Sequence, residues 1–149
     1  MSPAPLPDPA PAPTESPHDA RPLTVVVVED NADARDMLRV LLELRGHRVT
    51  VAGDGPAGAA CIVALAPDVA LVDVGLPHLD GYGVAVRVRT HGAPSVFLVA
   101  LTGCGQPEHR SRALAAGFDE HAVKPLDPAE IDGLLARVAR GDGRSPRLS

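Results

Sequence analysis

Several residue types and segment types are scarce in this chain, and each shortage excludes a class of protein. Only two of the 149 residues are cysteine, Cys61 and Cys104, too few for a disulfide framework and without the spacing of a zinc site. No apolar run approaches the roughly 18 residues of a membrane span, and no basic-then-apolar leader opens the chain. These absences favour a reducing cytoplasm, with no membrane partner.

Aromatic residues and positive charge are also in short supply. Aromatics make up 2% of the residues, so the core must be built from Val, Leu and Ala. A formal net charge of −5 and a pI near 5.6 argue against a nucleic-acid-binding surface. Four scattered histidines have no metal-ligand spacing, and we expect them at the surface: His47, His78, His91 and His109.

The two ends of the chain differ in composition from its middle. Residues 1–22 carry eight of the 16 prolines, many alternating with alanine, which predicts a disordered or polyproline-II tail. Residues 141–149 are predicted to form a second flexible tail. A single folded domain over residues 23–140 remains, long enough to enclose a core.

Strand-like and helix-like segments alternate five times within that domain. The predicted strands are Val25–Val28, Arg48–Ala52, Val69–Val72, Ser95–Leu101 and Asp119–Val123. The predicted helices are Ala32–Arg45, Pro56–Leu65, Tyr82–Arg89, Pro107–Ala116 and Pro128–Arg140. This alternation predicts an α/β fold, a flavodoxin-like (βα)5 doubly wound parallel sheet with strand order 2-1-3-4-5.

Four of the predicted strands run directly into polar residues. The residues are Glu29, Asp30, Asp73, Thr102 and Lys124. Because ligands bind at the carboxyl edge of open parallel sheets, we expect these side chains to form one site. Crowded carboxylates repel each other unless a cation relieves them, and Mg²⁺ prefers oxygen ligands and phosphate. The sequence therefore predicts a site for a divalent metal and a phosphoryl group.

Each polar residue suits a step of phosphoryl transfer. Asp73 stands alone after the central strand and is the best candidate nucleophile, since aspartate can form an aspartyl phosphate. The Thr102 hydroxyl could donate a hydrogen bond to a phosphoryl oxygen, and the Lys124 ammonium could neutralise its charge. The peptide bond between Lys124 and Pro125 is a candidate cis bond.

Four motifs in this order resemble the response-regulator receiver domain of two-component signalling. They are VVVVEDN over Val25–Asn31, LVDVGLPHLDGY over Leu71–Tyr82, VALTGCG over Val99–Gly105 and HAVKP over His121–Pro125. The segments LTG and GLP within these motifs are most similar to receivers associated with hybrid histidine kinases. The resemblance implies a phosphorelay switch that accepts phosphate on Asp73 from a histidine kinase or phosphotransfer protein and then alters a protein-interaction surface. The output partner is not named by the sequence.

The resemblance also implies a role for each site residue. A Mg²⁺ ion, which Mn²⁺ could replace, would be held by Glu29, Asp30, Asp73 and the backbone carbonyl of Gly75. Within this set Asp30 would be a direct ligand and Glu29 would hold a metal-bound water. Thr102 and Lys124 would bind the phosphoryl group. Such a domain catalyses only its own phosphotransfer and dephosphorylation.

The chain departs from the family pattern at two places. His121 stands where the family usually has Tyr or Phe, so aromatic-switch signalling is not expected in its usual form; an imidazole there would add a pH dependence. Gly75 and Cys104 are small residues flanking the acceptor and the threonine. We therefore expect water to reach the aspartyl phosphate freely and its lifetime to be short.

Two alternative functions remain open from the sequence. A Mg²⁺-dependent phosphatase with an aspartyl-phosphate intermediate commonly needs a second acid two residues after the nucleophile, where this chain has Gly75. A phosphorylation-independent binding module of the same fold would not need the acidic residues, all of which are present here.

Overall fold

A computed structural model describes residues 22–91, 95–103 and 107–141 of the chain. The described residues form five strands and five helices in strict alternation. The strands are β1 (Thr24–Val28), β2 (Arg48–Ala52), β3 (Val69–Asp73), β4 (Phe97–Thr102) and β5 (Glu120–Val123). The helices are α1 (Ala32–Leu44), α2 (Gly55–Leu65), α3 (Gly81–Thr90), α4 (Pro107–Ala116) and α5 (Pro128–Arg140).

The strands form one parallel sheet in the order β2-β1-β3-β4-β5, which confirms the predicted fold and strand order. The register brings the carboxyl ends of the strands level with each other. Val28 pairs with Val72, and Thr102 pairs with Val123. Asp73 and Thr102 are the last residues of their strands, so their side chains emerge at this common edge.

Helices cover both faces of the sheet, which explains why its central strands are apolar throughout. α2, α3 and α4 pack on one face, where Ile62, Val84 and Val88 are fully buried. α1 and α5 pack on the other face through Leu42 and Leu135 among others. With few aromatics available, both core layers consist mainly of Val, Leu and Ala, as predicted.

Local sequence signals determine where the helices begin and end. The Asn31 side chain accepts a hydrogen bond from Ala34 N at 2.9 Å and caps α1, and Gly46 follows the helix with φ +90°. The predicted bounds differ from the observed ones by one or two residues. The largest error lies at Ser95, because the ladder with β3 begins only where Phe97 pairs with Val69.

His47 is buried, so its expected surface position was wrong. It is 8% exposed, and its Nδ1 accepts a hydrogen bond from Leu23 N at 3.0 Å, which ties the start of β2 to the start of β1. The predicted disorder of residues 1–21 and 142–149 and the environment of Cys104 lie outside the described residues. In the described part of the chain, no helix is long and apolar enough to cross a membrane.

Candidate functional site

Three carboxylates meet at the carboxyl edge of the sheet. Glu29 and Asp30 follow β1, Asp73 ends the neighbouring strand β3, and one carboxylate oxygen from each lies within 4.8 Å of the others. Glu29 and Asp73 are buried, whereas Asp30 is exposed. The carboxylates predicted from the sequence are therefore brought together, with an open side toward solvent at Asp30.

One ammonium group contacts two of these carboxylates. Lys124 is the only lysine in the chain, and its Nζ lies 3.2 Å from Glu29 Oε1 and 3.3 Å from Asp73 Oδ2. The Lys124–Pro125 peptide bond, the candidate from the sequence, is cis. The backbone N–H of Lys124 donates to the carbonyl of Thr102 at 2.7 Å, so the threonine and the lysine arise from bonded strand ends.

The carboxylate cluster remains short of positive charge even with this ammonium present. Burial raises the pKa of Glu29, and the neighbouring Asp73 raises it further, while the hydrogen bonds from Asn31 N and from Lys124 only partly oppose the rise. Burial acts to lower the pKa of Lys124, but its contacts with Glu29 and Asp73 outweigh this and leave that pKa raised. A further cation beside Glu29 would therefore favour the charged form of this carboxylate.

The available donor atoms fit a hard divalent cation such as Mg²⁺. All of them are oxygens from carboxylates or from the nearby backbone, and Mg²⁺ takes oxygen ligands while keeping several waters on its open side. The backbone orients the carboxylates: Gly75 N donates to Asp73 Oδ1 at 3.0 Å, and Asn31 N donates to Glu29 Oε2 at 3.2 Å. The carbonyl of Gly75 belongs to the same turn, and Gly75 is exposed.

Two contacts at the site were not anticipated from the sequence. Arg35 of α1 donates from Nη1 to the carbonyl of Glu29 at 3.0 Å. Gly81 at the start of α3 packs directly on the backbone of Asp73, where an added Cβ would lie 2.6 Å from the Asp73 carbonyl oxygen. Gly81 belongs to the second motif, but a glycine in a motif does not by itself reveal this close approach.

His121 lies within β5, beside the site rather than in it. It pairs with Ala100 of β4 across the ladder, is half-buried, and stands three residues before Lys124. His121, at the position where the family usually has an aromatic residue, therefore lies on β5, the strand that directly precedes Lys124.

Comparison with known proteins identifies the family to which this arrangement belongs. The family model described as the response regulator receiver domain matches residues 25–136. The chain belongs to the response-regulator receiver family. Receiver domains act in two-component signalling, and the predicted relationship is confirmed.

Individual relatives agree with the family match. The chain is 34% identical over 116 residues to a probable transcriptional regulator of Guillardia theta, covering 78% of this chain and 45% of that protein. It is 34% identical to an uncharacterised 14.6 kDa protein of Leptolyngbya boryana, covering 76% of this chain and 87% of the relative. The chain spans about half the length of the transcriptional regulators that it matches.

A solved structure with the same fold carries a metal. The receiver domain of a sensor histidine kinase from Pseudomonas aeruginosa PAO1, crystallised with a magnesium ion coordinated in its active-site cleft, superposes with a TM-score of 0.74. The two are 29% identical, and the match covers 80% of this chain and 99% of that chain. Receiver domains bind Mg²⁺ at an acidic pocket, and this chain has such a pocket in Glu29, Asp30 and Asp73.

Proposed function

We propose that this receiver accepts a phosphoryl group on the Asp73 carboxylate from a phosphohistidine of a kinase or phosphotransfer protein, in the cytoplasm. The observation that carries the proposal is the position of Asp73. It ends the central strand inside a carboxylate cluster, and its Oδ2 lies 3.3 Å from the only ammonium side chain in the protein. The carboxylate that would be the nucleophile thus lies together with two carboxylates that could hold a metal and with one ammonium group.

The transfer needs positioning and charge compensation more than covalent chemistry from the protein. A carboxylate oxygen of Asp73 attacks the phosphorus while the bond to the donor imidazole nitrogen breaks. With the other ring nitrogen of the phosphohistidine protonated, the departing nitrogen keeps the bonding pair and the donor leaves as neutral imidazole. Negative charge is spread over the phosphoryl oxygens throughout, and the Lys124 ammonium lies close enough to Asp73 to stabilise it.

Two further groups would assist at the same point. Mg²⁺ held by Glu29, Asp30, Asp73 and the carbonyl of Gly75 would supply additional positive charge to the transferred group. The hydroxyl of Thr102, at the buried end of β4, would donate a hydrogen bond to a phosphoryl oxygen.

We infer that phosphorylation is read out at the neighbouring strand. The Thr102 carbonyl accepts the Lys124 N–H, so a shift of Thr102 toward a phosphoryl group is passed to the end of β5. His121 lies on the same strand and would take the place of the family's aromatic. The altered surface of α4, β5 and α5 would then recruit a protein partner. Phosphate must favour the switched state by a few kcal/mol for this population shift to be decisive.

Intact-mass measurement after incubation with acetyl phosphate and Mg²⁺ tests the proposal. We expect the wild type to gain one phosphoryl group, Asp73→Asn to gain none, and chelation of the metal to abolish the gain. Asp33→Asn, an exposed aspartate of α1, is the matched control and should be phosphorylated like the wild type. An equal gain of mass in Asp73→Asn would contradict the proposed acceptor.

A further inference from the structure

The guanidinium of Arg35 contacts the backbone of the acidic pair Glu29 and Asp30. Its Nη1 donates to the carbonyl oxygen of Glu29 at 3.0 Å in a half-buried position. The backbone N–H of Glu29 donates to the carbonyl of Ala52 at 3.1 Å. Both backbone polar groups of Glu29 are therefore bonded, one to β2 and the other to a side chain of α1.

The glycine that follows β2 leaves room for this guanidinium. A Cβ built at Gly53 would lie 3.1 Å from Arg35 Nη1 and 3.9 Å from Arg35 Cζ, closer to the nitrogen than side chains normally pack. The φ angle of Gly53 lies outside the left-handed region, so backbone conformation does not demand glycine there. Its contact with Arg35 provides a reason for the missing side chain.

We propose that Arg35 is a positioning residue for the metal site and that the absence of a side chain at Gly53 gives its guanidinium the space it needs. This inference rests on the proposed Mg²⁺-dependent function. The carbonyl held by Arg35 belongs to the planar peptide unit that joins Glu29 to Asp30. Fixing that plane fixes the positions of the Asp30 amide nitrogen and Cα, and so restricts the space that the exposed Asp30 carboxylate can reach. Outer partners of this kind commonly contribute about 10- to 100-fold to metal affinity.

The sign of the effect separates positioning from simple electrostatics. Removing a positive charge beside a cation site reduces repulsion and, taken alone, tightens cation binding. Losing the hydrogen bond to Glu29 instead frees the Glu29–Asp30 peptide and weakens binding. The positioning role therefore predicts that Arg35→Ala binds Mg²⁺ more weakly although the site has become more negative.

Calorimetric titration of the metal-free protein with MgCl₂ tests the inference without any phosphodonor. We expect Arg35→Ala to raise the Mg²⁺ Kd about tenfold, at the low end for loss of an outer partner. Arg35→Lys, which keeps a donor, should recover part of the loss. Gly53→Ala and Gly53→Val keep the charge but displace the guanidinium, so the Kd should rise in that order.

A double variant checks that the glycine acts through the arginine. In the Arg35→Ala background, Gly53→Ala should cause no further rise in Kd, because nothing remains for its Cβ to displace. Arg39→Ala, on the same helix and paired with Glu43, and Gly133→Ala, with nothing within 4 Å of its added Cβ, are the matched controls and should bind Mg²⁺ like the wild type.

The outcomes distinguish this inference from the proposed function. Equal or tighter Mg²⁺ binding by Arg35→Ala and Gly53→Val, with the wild type binding normally, would overturn the positioning role alone. Absence of Mg²⁺ binding by the wild type would overturn both. Thermal melting in metal-free buffer verifies folding of each variant, and if Arg35→Ala does not fold, the Gly53 series decides the question.

Discussion

Replacement of Lys124 by alanine should destabilise the metal-free protein and make its stability depend more strongly on Mg²⁺. The ammonium contacts Glu29 at 3.2 Å and Asp73 at 3.3 Å, and both carboxylates are buried. In the described part of the chain, Lys124 is the one cationic side chain within salt-bridge distance of the carboxylate cluster. The alanine variant therefore leaves the cluster without a cationic partner.

The size of the loss follows from the distances and the exposure. One ion pair at 3.2 Å has a Coulomb energy of about 5 kcal/mol at an effective dielectric constant near 20. Lys124 is a third exposed, so solvent screening and the regained hydration of the released groups reduce this strongly. Breaking fully buried pairs costs about 3–5 kcal/mol and exposed ones about 0.2–1 kcal/mol. We expect a fall of about 2–3 kcal/mol in the free energy of unfolding of Lys124→Ala, between these limits.

Urea unfolding at neutral pH, with and without Mg²⁺, measures this difference. Because an ion that binds only the native state stabilises it in proportion to RT ln(1 + [L]/Kd), saturating Mg²⁺ should recover part of the loss in the variant. Arg137→Ala removes a more exposed ion pair with Glu120 at 2.8 Å and is the control, expected to cost under about 1 kcal/mol. A metal-free loss in Lys124→Ala no larger than that of the control would refute the reasoning.

Three further predictions concern other positions. Burial lowers the pKa of His47 below its ordinary 6.5, so as the pH falls the unfolded chain binds a proton at this histidine before the native state does. The free energy of unfolding should therefore decrease as the pH drops through 6.5, by at most about 1.4 kcal/mol per pH unit, and urea unfolding of His47→Gln should show a flatter pH profile. Asp119→Ala leaves the buried Leu98 N–H and the half-buried guanidinium of Arg89 without their carboxylate partner, so equilibrium unfolding should show a loss of about 3 kcal/mol, toward the lower end of the range for breaking buried pairs. Gly75→Val should lengthen the phosphorylated lifetime severalfold in a time course of intact mass, since its Cβ would lie 3.7 Å from Asp73 Oδ1 and shield the acceptor from water.

Each of these predictions has its own control. The pH profile of His91→Gln, at an exposed histidine, should match the wild type, and an unchanged profile in His47→Gln would contradict the first prediction. Asp119→Asn keeps an acceptor for Leu98 and should lose less than the alanine variant. Gly75→Val should be phosphorylated to the same extent as the wild type, and a lifetime no longer than that of the wild type would show that Gly75 does not control access of water.

The parts of this fold that could be predicted from the sequence depend on apolar periodicity and on the residues at the ends of the strands. A continuous apolar run such as Val69–Val72 is typical of a strand covered on both faces, and here that strand is fully buried. Parallel strands must end at one edge, so a polar residue after each run was enough to predict that Asp73 and Lys124 would meet. The aligned register of the sheet makes this inference work.

The contacts that escaped sequence reasoning all depend on partners far apart in the chain or on backbone shape. His47 is buried because it accepts the N–H of Leu23, 24 positions away, and nothing in its own neighbourhood signals this. Arg89 contacts Asp119 across 30 positions, and Arg35 reaches a carbonyl rather than a charged side chain. Pairings of this kind follow from how helices dock on the sheet, which apolar periodicity alone does not specify.

We propose that the link between chemistry and readout in this receiver would run through the backbone as well as through side chains. Thr102 and Lys124 would both bind a phosphoryl group on Asp73, and they are already joined by a 2.7 Å hydrogen bond between their backbones. A movement of Thr102 toward that group therefore cannot leave the end of β5 unchanged unless this bond is lost. His121 lies on that strand, so a change at its position does not require an aromatic ring to swing inward. We therefore propose that the absence of the family's aromatic would alter how a signal reaches the outer surface, whereas the hydrogen bond between Thr102 and Lys124 would still connect Asp73 to β5.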